Sequence, residues 1–389
     1  MKTLIRNLFI METLLFDIPC MGLPPIIKWA GGKERELPHI VENAPSTFER
    51  YFEPFVGGGS VFAAMEANQY FINDKSDELM ALYGAIKGQD TDAFHSLAAI
   101  NASWKRMMQF TLSAMPELKE IYLNSRDAKA DDVKARILDF INHHFTRLSD
   151  LLGRMAMDVK LYRKELERNV AQKFLRMRKI EKDRHPMPEG DLANNISTAF
   201  MGALYMYYRG LYNKERNGDR QDLKVALFVF IRNYAYSGMF RYNSKGDFNV
   251  PYGGIGYNAK TLDKKLRYYQ SEELVARFRS TTIECLDFLE FLRKHPPHET
   301  DFMFLDPPYD SDFSTYANNT FGKEDQKRLA KYLIEECKCK WLMIIKNTSF
   351  IYSLYANHGL TIKAFDKRYQ VSFMNRNDKD VEHLIIMNY

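Results

Sequence analysis

Hydrophobic and polar positions are spaced differently in three parts of the chain. Near the start, Arg50–Phe55 is a short apolar and aromatic run that ends in Gly57-Gly58-Gly59-Ser60. Val61–Asn68 then has helical spacing, Tyr70–Asn73 is a second short apolar run, and Asp77–Ile86 is a helix with Ser76 or Asp77 as its cap. Strand, glycine turn, helix, strand and helix in this order predict the opening of a doubly wound α/β sheet.

From Asp92 to Arg232 helical spacing dominates, as in Val133–Leu152, and His185-Pro186-Met187-Pro188-Glu189-Gly190 breaks it once. Short apolar runs return at Thr281–Leu286, Phe302–Leu305, Trp341–Ile345, Leu360–Phe365 and His383–Asn388, with a helical segment at Lys323–Cys337. The predicted sheet is therefore split in sequence by a mostly helical insertion. The expected organisation is a tail (1–24), a first part of the sheet domain (25–91), the insertion (92–260) and a second part of the sheet domain (261–389).

With 389 residues, 46% hydrophobic and 27% charged, the chain has room and apolar content for two or three folded units. No apolar run is long enough to span a bilayer, and the charged N-terminal stretch lacks a small-residue cleavage site. Met11 and Met21 are alternative starts. Cys20, Cys285, Cys337 and Cys339 form neither a disulfide framework nor a four-ligand metal pattern, so the expectation is a cytoplasmic protein without a metal.

The net charge of +5 is mild, but Lys160–Gly190 alone carries ten Lys/Arg against five Asp/Glu. That stretch, together with Tyr205–Arg220 and its four tyrosines, is the candidate for contact with an anionic polymer; a solvated helix face is the alternative.

The sharpest chemical signal is Asp306-Pro307-Pro308-Tyr309, directly after the run Phe302–Leu305. Ligands of open α/β sheets sit at the carboxyl ends of strands. There, the Asp306 carboxylate and the Pro307 carbonyl can accept the hydrogens of an adenine amine and localise its lone pair. The prolines fix φ, and Tyr309 offers a face for a base to stack on. The Gly57–Gly59 turn lets a ligand approach backbone at a helix start, and Asp74 ends the next strand, where an acidic residue can take ribose hydroxyls. Pro19-Cys20 precedes the glycine turn and does not fit a cytosine-C5 nucleophile.

In order along the chain, Lys28-Trp29-Ala30-Gly31-Gly32-Lys33, Phe52-Glu53-Pro54-Phe55-Val56-Gly57-Gly58-Gly59-Ser60, Asn73-Asp74, the segment Arg241–Gly253 and Asp306–Tyr309 resemble the Dam-type DNA adenine-N6 methyltransferases. The resemblance runs from Ile26 to Tyr389. It implies a Rossmann-like, S-adenosylmethionine-dependent methyltransferase sheet with an inserted, mostly helical target-recognition domain. It also implies direct methyl transfer to N6 of an adenine flipped out of double-stranded DNA, without a metal. Trp29, Lys33, Glu53, Phe55, Gly57, Gly59, Asp74 and Asp306 would then contact the cofactor. Asp306, Pro307, Pro308 and Tyr309 would form the catalytic motif, and Met239, Arg241, Asn243, Lys245 and Pro251 would meet DNA. A monomer with a cognate restriction endonuclease as partner is the accompanying expectation. Two features depart from the simplest family members: the long Asp92–Arg220 connection, and Ser237-Gly238-Met239-Phe240 where Asn-Gly-Leu-Cys is usual. The alternatives are a non-catalytic S-adenosylmethionine sensor on DNA and a methyltransferase for cytosine N4 or RNA.

Overall fold

A computed structural model describes residues 22–29, 31–216, 218–309, 321–368 and 380–389. Most of the expected tail, with Met11, Pro19-Cys20 and Met21, lies outside the described residues, as does Ala30. The chain forms two compact units, one ending at Met80 and resuming at Glu272, the other running Ala81–Ser271. The second unit thus extends further at both ends than the expected 92–260 insertion.

The first unit is a seven-stranded sheet in the order β3-β2-β1-β4-β5-β7-β6. Its strands are β1 (Arg50–Glu53), β2 (Gln69–Asn73), β3 (Thr281–Glu284), β4 (Phe302–Leu305), β5 (Lys340–Lys346), β6 (Thr361–Arg368) and β7 (Asp380–Met387). β1 to β5 run parallel, while β7 lies antiparallel between β5 and β6. All four residues of β4 are buried, the unbroken apolar run expected of a central parallel strand. Phe52, Met303, Leu305, Met343, Ile345, Leu384 and Ile386 of four strands share one core with Phe291, Leu329 and Leu333.

Two predicted helices are shorter than their periodicity. Val61–Asn68 is helical only over Ser60–Ala64, because Met65 turns to extended backbone on the way into β2. Lys323–Cys337 is α-helical over Lys323–Lys331 and widens into a π-turn at Tyr332–Glu336 before β5.

The second unit holds α1 (Thr91–Ser113), α2 (Met115–Leu123), α3 (Ala130–Asp150), α4 (Val159–Asp183), α5 (Glu189–Glu215), α6 (Gln221–Tyr234) and α7 (Asp263–Tyr269). Asp90 caps α1 by accepting from the Asp92 and Ala93 amides at 3.0 Å, and Asp158 caps α4 through the Leu161 amide at 2.9 Å. Trp104 of α1 packs on Phe230 and Tyr234 of α6, so the helices close over an aromatic core.

Candidate active site

The strand order reverses between β1 and β4, the two central strands of the parallel part. At such a switch point the loops leaving neighbouring strands diverge and leave a crevice at their carboxyl ends. β1 ends in Glu53 and β4 is followed by Asp306, so two carboxyl groups from distant parts of the sequence meet there. A pocket at this place is lined by Trp29, Gly31, Lys33, Glu53, Phe55, Gly57, Phe304 and Asp306, among others. Six of the eight expected cofactor residues are in that lining; Gly59 and Asp74 are not.

Each charge of the pocket is balanced differently. The buried Lys33 ammonium pairs with Asp306 and also donates to the Gly31 carbonyl at 2.9 Å. Glu53 is buried and accepts from the Tyr51 hydroxyl at 2.7 Å. Burial pushes its carboxyl well above the usual range, and the nearby Asp306 charge adds to that push. The pocket therefore presents one compensated carboxylate, Asp306, beside a carboxyl that favours its neutral form.

The glycine turn owes its shape to Trp29. A Cβ at Gly58 would lie 2.5 Å from the Ile27 carbonyl oxygen, and one at Gly57 would lie 2.9 Å from the Trp29 ring. Gly57 and Gly59 also have positive φ, at 47° and 73°. Asp74 serves this turn from behind the sequence motif: its carboxylate accepts from the amides of Gly57 at 3.0 Å and Ser76 at 2.9 Å. Burial raises the Asp74 pKa, and those amide bonds oppose the shift.

Asn73 is a residue to which the sequence reading gave no role of its own. It is buried, donates to the Pro54 and Leu286 carbonyls at 3.1 Å each, and accepts from the Leu286 amide at 2.8 Å. It thereby fastens the loops after β1 and β3 to the end of β2. A single asparagine before an aspartate carries no sequence signal for such a role.

A family model for D12 class N6 adenine-specific DNA methyltransferases matches residues 29–148 and 141–371. The chain belongs to this family. It is similar to the type II methyltransferase M.MjaIII of Methanocaldococcus jannaschii, 26% identical over 387 residues that cover 95% of this chain and all of that protein. The type II methyltransferase M.CviBI of Paramecium bursaria Chlorella virus NC1A is 25% identical over 94% of this chain and its own full length. The DNA adenine methylase of Escherichia coli strain K12 is 22% identical over 78% of this chain and 73% of its own. The activity is thus methylation of adenine N6 in DNA, and the sensor, cytosine-N4 and RNA alternatives are not favoured.

In this methyltransferase the segment expected to meet DNA lies in the helical unit and is a hairpin. Tyr242 and Phe248 form an antiparallel bridge, and the tip turns at Gly246 with φ at 80°. Arg241, Asn243, Lys245 and Pro251 are exposed and Met239 is half-buried. The Asn243 side-chain Oδ1 accepts from the Lys245 and Asp247 amides at 2.9 Å, so this side chain shapes the turn.

In the candidate stretch Tyr205–Arg220 the tyrosines face inward, while Lys214 and Arg220 are exposed. Tyr205, Tyr207, Tyr208 and Tyr212 are buried in α5. Their hydroxyls bond, respectively, the Val250 carbonyl at 3.0 Å, the Met155 carbonyl at 2.6 Å, the Ser103 hydroxyl, and the Tyr242 hydroxyl at 2.9 Å. The polar residues are engaged as well. Arg209 donates to the Val250 carbonyl, Asn213 exchanges two bonds with the Phe248 backbone, Arg216 donates to the Gly246 carbonyl, and Arg220 pairs with Glu215. This stretch is the platform under the hairpin. Buried tyrosines need a partner for the hydroxyl, and here the hairpin supplies two, the Val250 carbonyl for Tyr205 and the Tyr242 hydroxyl for Tyr212.

Among the described residues no helix is long and apolar enough to cross a membrane, and no group of His, Cys, Asp and Glu could hold a metal ion.

Proposed function

We propose that the pocket at the β1–β4 switch point binds S-adenosylmethionine and that Asp306-Pro307-Pro308-Tyr309 presents a flipped-out adenine to it. The carrying observation is Asp306, held by buried Lys33 at the carboxyl end of β4 and beside Glu53 in one pocket. The donor set suits the cofactor. Trp29 and Phe55 offer aromatic faces, and the Gly57–Gly59 turn leaves backbone approachable where side chains would collide. When bound, S-adenosylmethionine supplies an electrophilic methyl group on a sulfonium.

Asp306 and the Pro307 carbonyl accept the two N6 hydrogens, which localises the nitrogen lone pair along the line of transfer. Pro308 keeps the backbone rigid, and Tyr309 stacks on the base rotated out of the duplex. The departing proton goes to solvent after transfer, so Asp306 works as an acceptor and not as a general base. Asp74 supports the cofactor loop through Gly57, and Gly59 opens the helix that follows it.

On the DNA, Arg241 is suited to a guanine edge and Lys245 to phosphate, with Met239, Asn243 and Pro251 shaping the reading hairpin. The type II names of two relatives support a restriction-modification role with a cognate endonuclease. The reading includes a monomer acting on double-stranded DNA in the cytoplasm.

The test is sequencing-based detection of N6-methyladenine in DNA from cells expressing this chain, beside an Asp306→Ala control. Modification at one short motif that disappears in the control is expected. Equal modification in the control would overturn the role of Asp306, and calorimetry showing no binding of S-adenosylmethionine would overturn the cofactor assignment.

A further inference from the structure

Two buried polar side chains outside the pocket lining grip the Asp306–Tyr309 segment. Gln326, on the helix Lys323–Lys331, is fully buried and donates its Nε2 to the Pro308 carbonyl at 2.8 Å. His383, on β7, is fully buried and its Nε2 shares a hydrogen bond of 3.0 Å with the Tyr309 hydroxyl. The two rings meet edge-on, with centroids 5.6 Å apart.

The sheet register explains how a strand so late in the chain reaches this motif. Leu305 of β4 pairs with Met343 of β5, and Lys346 of β5 pairs with His383 of β7. Because Lys346 follows Met343 by three positions, His383 lies level with the residues just beyond the end of β4. β7 runs between β5 and β6, so its backbone is fixed on both sides.

Burying an amide or an imidazole is unfavourable unless it is bonded, and an apolar side chain could fill either place without that penalty. What these two side chains add is direction. The proline rings already fix φ at Pro307 and Pro308, so a bond to the Pro308 carbonyl restrains much of the freedom left in the segment. The bond at the far end of Tyr309 restrains the plane of its ring. A stacking platform with a fixed plane lowers the entropy lost when the base docks. We infer that His383 is a positioning residue for methyl transfer: it sets the plane of Tyr309 against the flipped adenine. This rests on the function proposed above.

The experiment uses the full chain and a duplex carrying its methylation motif with 2-aminopurine at the target adenine. His383→Leu, His383→Gln, Tyr309→Phe and the double variant His383→Leu/Tyr309→Phe are compared with the parent. The readouts are single-turnover methylation of the unlabelled duplex, 2-aminopurine fluorescence, S-adenosylmethionine affinity and thermal midpoint. Loss of one orienting hydrogen bond is expected to slow single turnover about tenfold in His383→Leu and in Tyr309→Phe, with cofactor affinity unchanged. His383→Gln, which can still bond the hydroxyl, recovers most of the rate, and the double variant is no slower than Tyr309→Phe. The 2-aminopurine signal changes in step with the rate. Parental rate and signal in Tyr309→Phe would overturn the inference even if the His383 variants failed to fold. Losses that add in the double variant would do the same. A parent chain that methylates no adenine would instead overturn the functional reading, and this inference with it.

Discussion

The Lys33 ammonium is paired with the Asp306 carboxylate, a contact between residues 273 positions apart in sequence, and Lys33 itself is buried. Removing one member of such a pair strands the other charge, whereas removing both does not. Lys33→Met and Asp306→Asn are each expected to lower unfolding stability by about 1–3 kcal/mol. The double variant Lys33→Met/Asp306→Asn should lose less than their sum and should show no methyl transfer. Urea unfolding of the four chains forms the cycle. Strict additivity would mean that the two charges do not support one another.

Glu53 gives a prediction with a definite sign. Its folded-state pKa is raised, chiefly by burial, so the folded chain holds this proton more tightly than the unfolded chain does. Stability from that proton is complete below the ordinary carboxylate range and declines as pH rises towards the raised value. Glu53→Gln, neutral at every pH, should remove this part of the decline and flatten the thermal midpoint against pH above the usual glutamate range. Asp74, also raised by burial, retains its smaller share of the slope in that variant. Superimposable pH profiles for parent and Glu53→Gln would show that the Glu53 carboxyl ionises freely in the folded chain.

Two glycines, equal in sequence terms, should respond oppositely to alanine. A methyl group on Gly58 meets backbone oxygen and the Trp29 Cβ, and neither is the far end of a flexible side chain. Gly58→Ala should cost about 1–3 kcal/mol and weaken cofactor binding, because Trp29 must move. At Gly84, inside the helix Asp77–Gly88, an added Cβ meets nothing within 4 Å. Gly84→Ala should stabilise by roughly 0.5–1 kcal/mol through helix propensity and leave cofactor affinity alone. Calorimetry with S-adenosylmethionine and thermal unfolding decide the contrast. An equal response of the two sites would remove the steric argument for the turn.

The sheet was legible because its strands are short apolar runs bounded by turns; Phe302–Leu305 appears in the structure with the predicted bounds. The pocket was legible for a related reason, since Trp29, Lys33, Glu53, Phe55, Gly57 and Asp306 lie in or beside local motifs. His383 and Gln326 were not, because their relation to Tyr309 and Pro308 exists only through sheet register and helix packing. The tyrosines of α5 were not separated from the cations around them for another reason. Aromatic residues among cations look alike whether they stack on a ligand or fill a core. The signal that separates them was available: Tyr205, Tyr208 and Tyr212 recur three and four apart, the spacing of one buried helix face.

That distinction can be measured on the two basic stretches. On α4, Lys160, Lys164, Lys179 and Lys182 are exposed, as a surface in contact with DNA phosphate requires. At the C-terminal cap of α5, Arg216 donates to the Gly246 carbonyl and its guanidinium lies 4.3 Å from the centre of the Tyr242 ring, so its charge is engaged within the hairpin. Replacing the four α4 lysines by glutamine should reduce the slope of log affinity against log salt by roughly three to four, if each lysine neutralises one phosphate, with thermal stability unchanged. Arg216→Ala should instead lower stability by about 1–3 kcal/mol through the loosened hairpin, with little change in the slope. Binding titrations over a series of salt concentrations, run beside thermal unfolding, separate the two effects. An unchanged slope in the quadruple variant would make the α4 lysines an ordinary solvated face. A slope that fell in Arg216→Ala would mean that this arginine reaches phosphate despite its engagement with the hairpin.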